Sequence, residues 1–567
     1  MKNYQPVELI ISPPSVFAKN KSSASVKKLL QDSGIPVSEI SQQKTKLPAA
    51  KKSINAKSAL PVSKTYIKTK LSGAEMNPWD VAHTAATALG SQAGFIEPDL
   101  LNEFVADQNI DVPYKKSKKN FKKNISIGGF DPDWQPHKNM IWHLDDAFSQ
   151  LASARKEVEN INYLIRIGHL DTGYNPTHVI VPESAKKNKL QRNFVKDEEP
   201  SDAHDRNTKG TLRMPGHGTG TLGILAGNKM RIKTDNGVFN DYIGAAPFAE
   251  IVSCRIAPSV VLIKTSAFAE ALNYLTALCK SGYPIHVVSM SMGGAPSKAW
   301  ADAVNAAYDA GITIVTAAGN HFNGLPTKHV IYPARFERVI AACGITYDLK
   351  PYTHNKIGEM QGCSGPERHM DKAMAAFTPN TPWASGNKNR ISFAGAGTSS
   401  ATPQVAAAAA IYYRKYHKEL DVLQPWQRVE AIRYALYKSA GKNGIPAGSY
   451  KSSFGNGIIK AFDALTIPVN SNLSKTPPDR VPLFPILTTI FKTKPGISTQ
   501  NRLDMYNTEL AQLVYDRPQL KMIIDDEEKP FEKISKKKWK LFKEAVIAHP
   551  DASISLKQYL MASPDFK

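Results

Sequence analysis

Residues 163–173 read YLIRIGHLDTG. Tyr163–Leu170 is an apolar run of strand length, and Asp171-Thr172-Gly173 closes it with an acid and a turn. Four more such runs follow, at Glu250–Ile256, His286–Met290, Ile312–Ala317 and Arg338–Ile345. Helical patterns lie between them, as at 264–280 and 297–310. The alternation predicts an α/β fold over residues 130–466, a doubly wound parallel sheet with helices on both faces. In open sheets of this kind ligands bind beyond the carboxyl ends of the strands. Asp171 therefore stands where a site would form.

Two further motifs flank the same region. Gly216-His217-Gly218-Thr219-Gly220 runs into the apolar segment Thr221–Ala226. Glycines on both sides of a histidine let backbone or ligand come close. Gly397-Thr398-Ser399-Ser400-Ala401-Thr402-Pro403 precedes a helical pattern over Gln404–Tyr416. A serine at a helix start is a common cap, but the same position favours developing negative charge. That suits a nucleophile whose intermediate is an oxyanion. Each motif alone has an ordinary structural explanation; the order Asp, His, Ser on an α/β pattern is far more specific.

Taken together, HLDTGYNPTH, GHGTGTLGILAG and GTSSATPQVA resemble the Asp, His and Ser motifs of the subtilisin-like serine proteases, the subtilases. The resemblance spans about residues 130–466 and implies a serine endopeptidase. Ser399 would be the nucleophile, His217 the general base and Asp171 the residue that fixes the histidine tautomer. Thr316-Ala317-Ala318-Gly319-Asn320 resembles the segment carrying the oxyanion asparagine, so Asn320 would donate to the tetrahedral intermediate. Ser289–Gly294 resembles the strand and loop that bind substrate backbone. By the same resemblance, Ser291, Met292 and Gly293 with Ala317, Ala318 and Gly319 wall the pocket for the side chain before the scissile bond. Ile331 resembles its floor. No acid stands at these positions, so a basic side chain gains no partner, and an apolar preference follows.

Composition bounds the remainder. The 567 residues carry 72 Lys+Arg against 50 Asp+Glu, a formal charge of +22. Hydrophobic residues at 42% and charged residues at 22% exclude a wholly disordered chain, a collagen and a coiled-coil rod. Residues 1–60, rich in Lys, Ser, Ala and Pro, read as a flexible basic region. Residues 61–129 hold a strand–helix–strand pattern and the basic run Lys115–Lys123. Its Phe95–Asp99 resembles the tail of a subtilase propeptide, which implies self-cleavage between about Asp99 and Asp131. Residues 467–499 read as a linker and 500–567 as a small helical extension. The polar stretch 186–209 reads as an exposed loop insert, and 357–388 as a second insert; either would restrict substrate access.

The expected partner is a protein or peptide substrate. No nucleic-acid module accompanies the basic runs, and no apolar stretch is long enough to span a bilayer. The first twenty residues do not read as a secretory signal, since Glu8 and Pro13-Pro14 break the apolar run. A cytoplasmic location is the expectation. Cys254, Cys279, Cys343 and Cys363 have no metal-ligand spacing, and Cys254 and Cys343 read as buried thiols. No cofactor is expected. Calcium sites are common in the family, and no ligand set can be matched here. The alternative function is a latent or inactive protease fold that serves as a binding module with basic tails.

Overall fold

The computed structural model describes residues 7–12, 23–32, 35, 37–42, 67–71, 77–90, 94–103, 139–206, 214–234, 237–260, 262–322, 327–354, 360–385, 390–445, 450–480, 497–524 and 535–562. The basic run Lys115–Lys123 lies outside them.

Two strand–helix units open the chain: β1 (Glu8–Ser12), α1 (Ser23–Asp32), β2 (Val37–Gln42), β3 (Ile67–Leu71), α2 (Pro78–Leu89) and β4 (Phe95–Pro98). The four strands form one antiparallel-paired sheet in the order β2-β3-β1-β4. Asn77 caps α2, its side chain accepting from Trp79 N at 2.9 Å, and Pro78 takes the first turn. The sequence reading placed residues 1–60 outside any core. Here β1, α1 and β2 supply much of this small unit. The reason lies in β1: Leu9 and Ile11 enter the unit's own core, while Ile10 packs into a core of the larger α/β domain. A three-residue apolar run disappears in a composition averaged over sixty.

The main sheet contains β6 (Arg166–Asp171), β7 (Arg192–Asn193), β8 (Glu250–Arg255), β10 (Val287–Met290), β11 (Thr313–Ala317), β12 (Val339–Ile345) and β13 (Ala373–Phe377). The short β5 (Leu101–Glu103) and β9 (Leu262–Lys264) pair with each other outside it. The order is β13-β12-β11-β10-β6-β8-β7, with every neighbouring pair parallel. From β6 the chain first adds β7 and β8 on one side, then β10 to β13 on the other. The order reverses beside β6, and such a switch point opens a crevice at the carboxyl ends. Alternation along β6 sends Ile167 to the core shared with α3 (His217–Ala226) and α6 (Thr398–Lys415). It sends Leu170 to the core shared with α4 (Thr265–Lys280) and α5 (Lys298–Asp309). The β13 strand comes from the stretch read as an insert, 357–388, so most of that stretch is framework rather than a loop. The four cysteines are free, and Cys254 and Cys343 are buried. No helix among the described residues is long and apolar enough to cross a membrane.

The N-terminal unit sits on the starts of α4 and α5. Glu97, fully buried, accepts from Ala299 N at 2.8 Å, Lys298 N at 3.2 Å and Ser297 Oγ at 3.2 Å. Asp99 Oδ1 accepts from Ser266 N at 2.8 Å. Two carboxylates thus meet the unsatisfied N–H groups and positive ends of two helices.

Among the described residues, four helices come last: α7 (Ile497–Asp516), α8 (Pro518–Ile523), α9 (Lys536–Ala548) and α10 (Ile554–Ala562). Leu510, Leu513, Val514, Trp539, Phe542 and Val546 share one core, while Leu541 stays exposed. The bundle docks on α2. His83 Nε2 lies 2.9 Å from Glu509 Oε2, with both side chains buried. Trp79 Nε1 donates to Gln512 Oε1 at 2.9 Å, and Gln512 Nε2 donates to Pro296 O at 2.8 Å, so Gln512 ties all three parts together. Glu509 also accepts from Ser553 N at 2.7 Å and Ser553 Oγ at 2.9 Å. Glu509→Ala would leave His83 on α2, and the N–H and hydroxyl of Ser553 within the bundle, without their acceptor; the lost His83 contact should weaken docking by about 1–3 kcal/mol. Faster amide exchange across residues 78–89 is the expected result; unchanged protection would refute this account of the junction.

Candidate active site at the carboxyl ends of the central strands

Asp171 ends β6 and is fully buried. Its Oδ1 accepts from Thr172 N at 2.7 Å and lies 2.7 Å from His217 Nδ1. Its Oδ2 accepts from Thr221 Oγ1 at 3.0 Å. Burial alone would raise the Asp171 pKa. The neighbouring His217 and the Thr172 N–H outweigh it and hold the carboxyl below its ordinary value.

His217 is the first residue of α3. Its Nδ1 faces the carboxylate, and its buried Nε2 has no hydrogen-bond partner among the described residues. The ring of Trp383, from β14 (Thr381–Ser385), meets the imidazole edge-on with centroids 5.6 Å apart. That tryptophan also comes from the stretch 357–388.

Ser399 is the second residue of α6, not a residue preceding the helix, because α6 begins at Thr398 and carries Pro403 inside it. Proline has no N–H to bond the carbonyl four residues back. Ser291 Oγ takes that carbonyl instead, donating to Ser399 O at 2.9 Å. Ser399 Oγ in turn donates to Ser291 O at 3.3 Å. Ser291 follows Met290, which pairs with Leu170 just before Asp171. The serine and the aspartate are thus brought together by adjacent strand ends. Ser399 Oγ and His217 Nε2 are not hydrogen-bonded to each other.

Asn320 Oδ1 accepts from Thr398 N at 3.0 Å, which ties it to the start of the same helix. Gly397, at φ 74°, leaves room for it: a Cβ there would lie 2.9 Å from Asn320 Nδ2. Ile331 is buried, and its N–H donates to Ala318 O at 2.9 Å. Its Cδ1 fills the space beside Gly293, and a Cβ on Gly319 would come within 3.0 Å of it. Gly293, Ala318, Gly319 and Ile331 therefore meet at one place, and Ser291, Met292 and Ala317 lie buried in the adjoining strand and loop.

Several residues escaped sequence reasoning. Asp205, from the stretch 186–209, accepts from Thr172 Oγ1 at 2.9 Å and from Gly216 N at 3.1 Å. Arg255 donates to Thr172 O and lies 3.6 Å from Asp205. That stretch is a buttress for the turns holding Asp171 and His217 rather than a free loop. His169 and Thr221 stand behind Asp171. Their spacing, His-x-Asp on a strand and His-x-x-x-Thr on a helix, was readable, but not their meeting. Among the described residues, no group of three or more His, Cys, Asp or Glu side chains is placed to hold a metal ion.

A family model described as the subtilase family matches residues 164–457. Subtilisin DY from Bacillus licheniformis is 27% identical over 253 residues, covering 44% of this chain and 77% of that protein. Subtilisin Savinase from Lederbergia lenta is 26% identical over 247 residues, covering 43% of this chain and 76% of that one. Among solved structures, fervidolysin from Fervidobacterium pennivorans, a keratinolytic enzyme related to subtilisin, aligns with a TM-score of 0.50 at 18% identity. That alignment covers 83% of this chain and 62% of fervidolysin, and it bears on the fold alone.

Proposed function

Because the chain belongs to the subtilase family of serine endopeptidases, we propose that it hydrolyses peptide bonds through an acyl-enzyme on Ser399. One observation carries the reading most strongly. A buried His217–Asp171 pair keeps its Nε2 free, beside a serine at a helix N-terminus. On this reading Ser399 Oγ gives up its hydrogen bond to Ser291 O and engages His217 Nε2. Oγ then attacks the scissile carbonyl carbon while its proton passes to Nε2. Asp171 compensates the imidazolium, and Asn320 donates to the oxyanion. His217 returns the proton to the amine as the C–N bond breaks, and water repeats the sequence on the acyl-enzyme.

A fluorophosphonate probe tests this directly. Wild-type protein should be labelled and Ser399→Ala should not. Labelling that survives Ser399→Ala would take the acyl-enzyme off Ser399, and none at any stage of processing would favour the binding-module alternative.

We further read the N-terminal unit as a tethered inhibitor. Leu101–Glu103 pairs antiparallel with Leu262–Lys264, which ties the end of that unit to the larger domain through backbone hydrogen bonds. An apolar preference before the scissile bond rests on Ile331 filling the space between Gly293 and Gly319. Ile331→Gly removes four side-chain carbons and should shift relative kcat/KM at least about tenfold toward substrates with phenylalanine over alanine there. A peptide library cut preferentially after Lys or Arg by the wild type would overturn the pocket reading.

A further inference from the structure

We propose that His169 and Thr221 are positioning residues that orient the Asp171 carboxylate toward His217, an inference that rests on the triad reading above. On β6, His169 and Asp171 are two residues apart and share a face. On α3, His217 and Thr221 are four apart and share a face. Two residues of a parallel strand span about 6.6 Å and four residues of a helix about 6.0 Å. The two pairs therefore lie nearly in register across the strand–helix contact. His217 meets Asp171 at 2.7 Å, and Thr221 meets both Asp171 Oδ2, at 3.0 Å, and His169 Nε2, at 2.9 Å.

The proton inventory fixes the direction of this chain. An ionised carboxylate accepts only, so the Thr221 hydroxyl donates to Asp171 Oδ2. Gly218 O, 3.2 Å away, is the competing acceptor, and it is neutral. The Thr221 oxygen then accepts from His169 Nε2–H. The opposite tautomer would put the proton on His169 Nδ1, which is buried without a partner. Leaving a buried N–H unmade is the more expensive choice. Burial also lowers the His169 pKa, against the pull of Asp171 and with the push of His217, which keeps the ring neutral. Its strand neighbours in register are Ser253 and Ser289, which carry no charge. The carboxylate is thereby clamped on both oxygens: Thr172 N and His217 on Oδ1, Thr221 on Oδ2, with His169 holding the Thr221 hydroxyl in its donating orientation.

The test is a double-mutant cycle on kcat with a peptide anilide, each preparation titrated with the fluorophosphonate to count active sites. Thr221→Val keeps the shape and removes the hydroxyl, and should lower kcat about 10- to 100-fold at unchanged KM. Thr221→Ser should restore it. His169→Leu should cost about three- to tenfold, while His169→Gln, which can present an N–H where Nε2 lies, should cost less. Since His169 acts through Thr221, the double variant should match Thr221→Val alone. Additive losses, a serine variant no better than valine, or full kcat in Thr221→Val would each overturn the proposal. Should Thr221→Val fail to fold, the comparison of His169→Leu with His169→Gln decides, equal kcat values overturning it. The Ser399→Ala control separates the two levels: turnover in that variant would sink the triad reading itself.

Discussion

Ser399→Ala is expected to lower kcat about 10⁶-fold, the size of loss known from subtilisin when its serine or histidine is removed. The hydroxyls on either side of it in sequence are engaged elsewhere. Thr398 Oγ1 is bonded to Gly319 O at 3.1 Å, and Ser400 Oγ to Thr378 Oγ1 at 2.9 Å, both buried and turned away. The residual rate should be the part supplied by substrate binding and the oxyanion donors, which do not need the nucleophile. The same variant should keep its N-terminal unit covalently attached. Steady-state turnover of a peptide anilide and intact mass measure the two effects. Residual kcat above about one per cent would remove Ser399 from the chemistry. An identical N-terminus in variant and wild type would remove self-cleavage from the account.

Asn320→Ala should lower kcat about 10²–10³-fold with KM little changed, as for one donor at an oxyanion hole. The side chain is held at its other end: Thr398 N fixes Oδ1, so Nδ2 is the atom left to donate. Alanine removes two things at once, the donor and the acceptor for a helix-start N–H. The second costs about 1 kcal/mol of stability. Asn320→Asp separates them. It keeps an acceptor for Thr398 N but presents negative charge to an oxyanion, so it should fold as well as wild type and turn over no faster than the alanine variant. A rise in KM with kcat intact would move Asn320 from the chemistry to ground-state binding.

Much of the catalytic framework was legible because its causes are local. Strands buried on both faces must be apolar throughout, so β6, β8, β10, β11 and β12 stood out as runs. Gly397 is needed where a positive φ coincides with a crowded side chain, and it marked the serine motif. What was not legible is long-range. The stretches 186–209 and 357–388 looked like polar inserts, yet they deliver Asp205 to the turn at Thr172 and Trp383 to the edge of His217. Polar composition does not say whether a side chain's partner is water or a turn far away in sequence.

By itself, then, the amino-acid sequence determined the α/β class, the strands that end at the site, and the three motifs whose order matches the family. These depend on periodicity and on backbone demands within a few residues. Tertiary structure alone decided that the C-terminal helices grip α2 through Glu509 and Gln512 rather than standing free. It also decided that His169 and Thr221 close behind Asp171. The reason is register: a strand repeats every two residues and a helix every 3.6. Which of their side chains meet is set by how the two elements are docked, and neither element's sequence contains that offset.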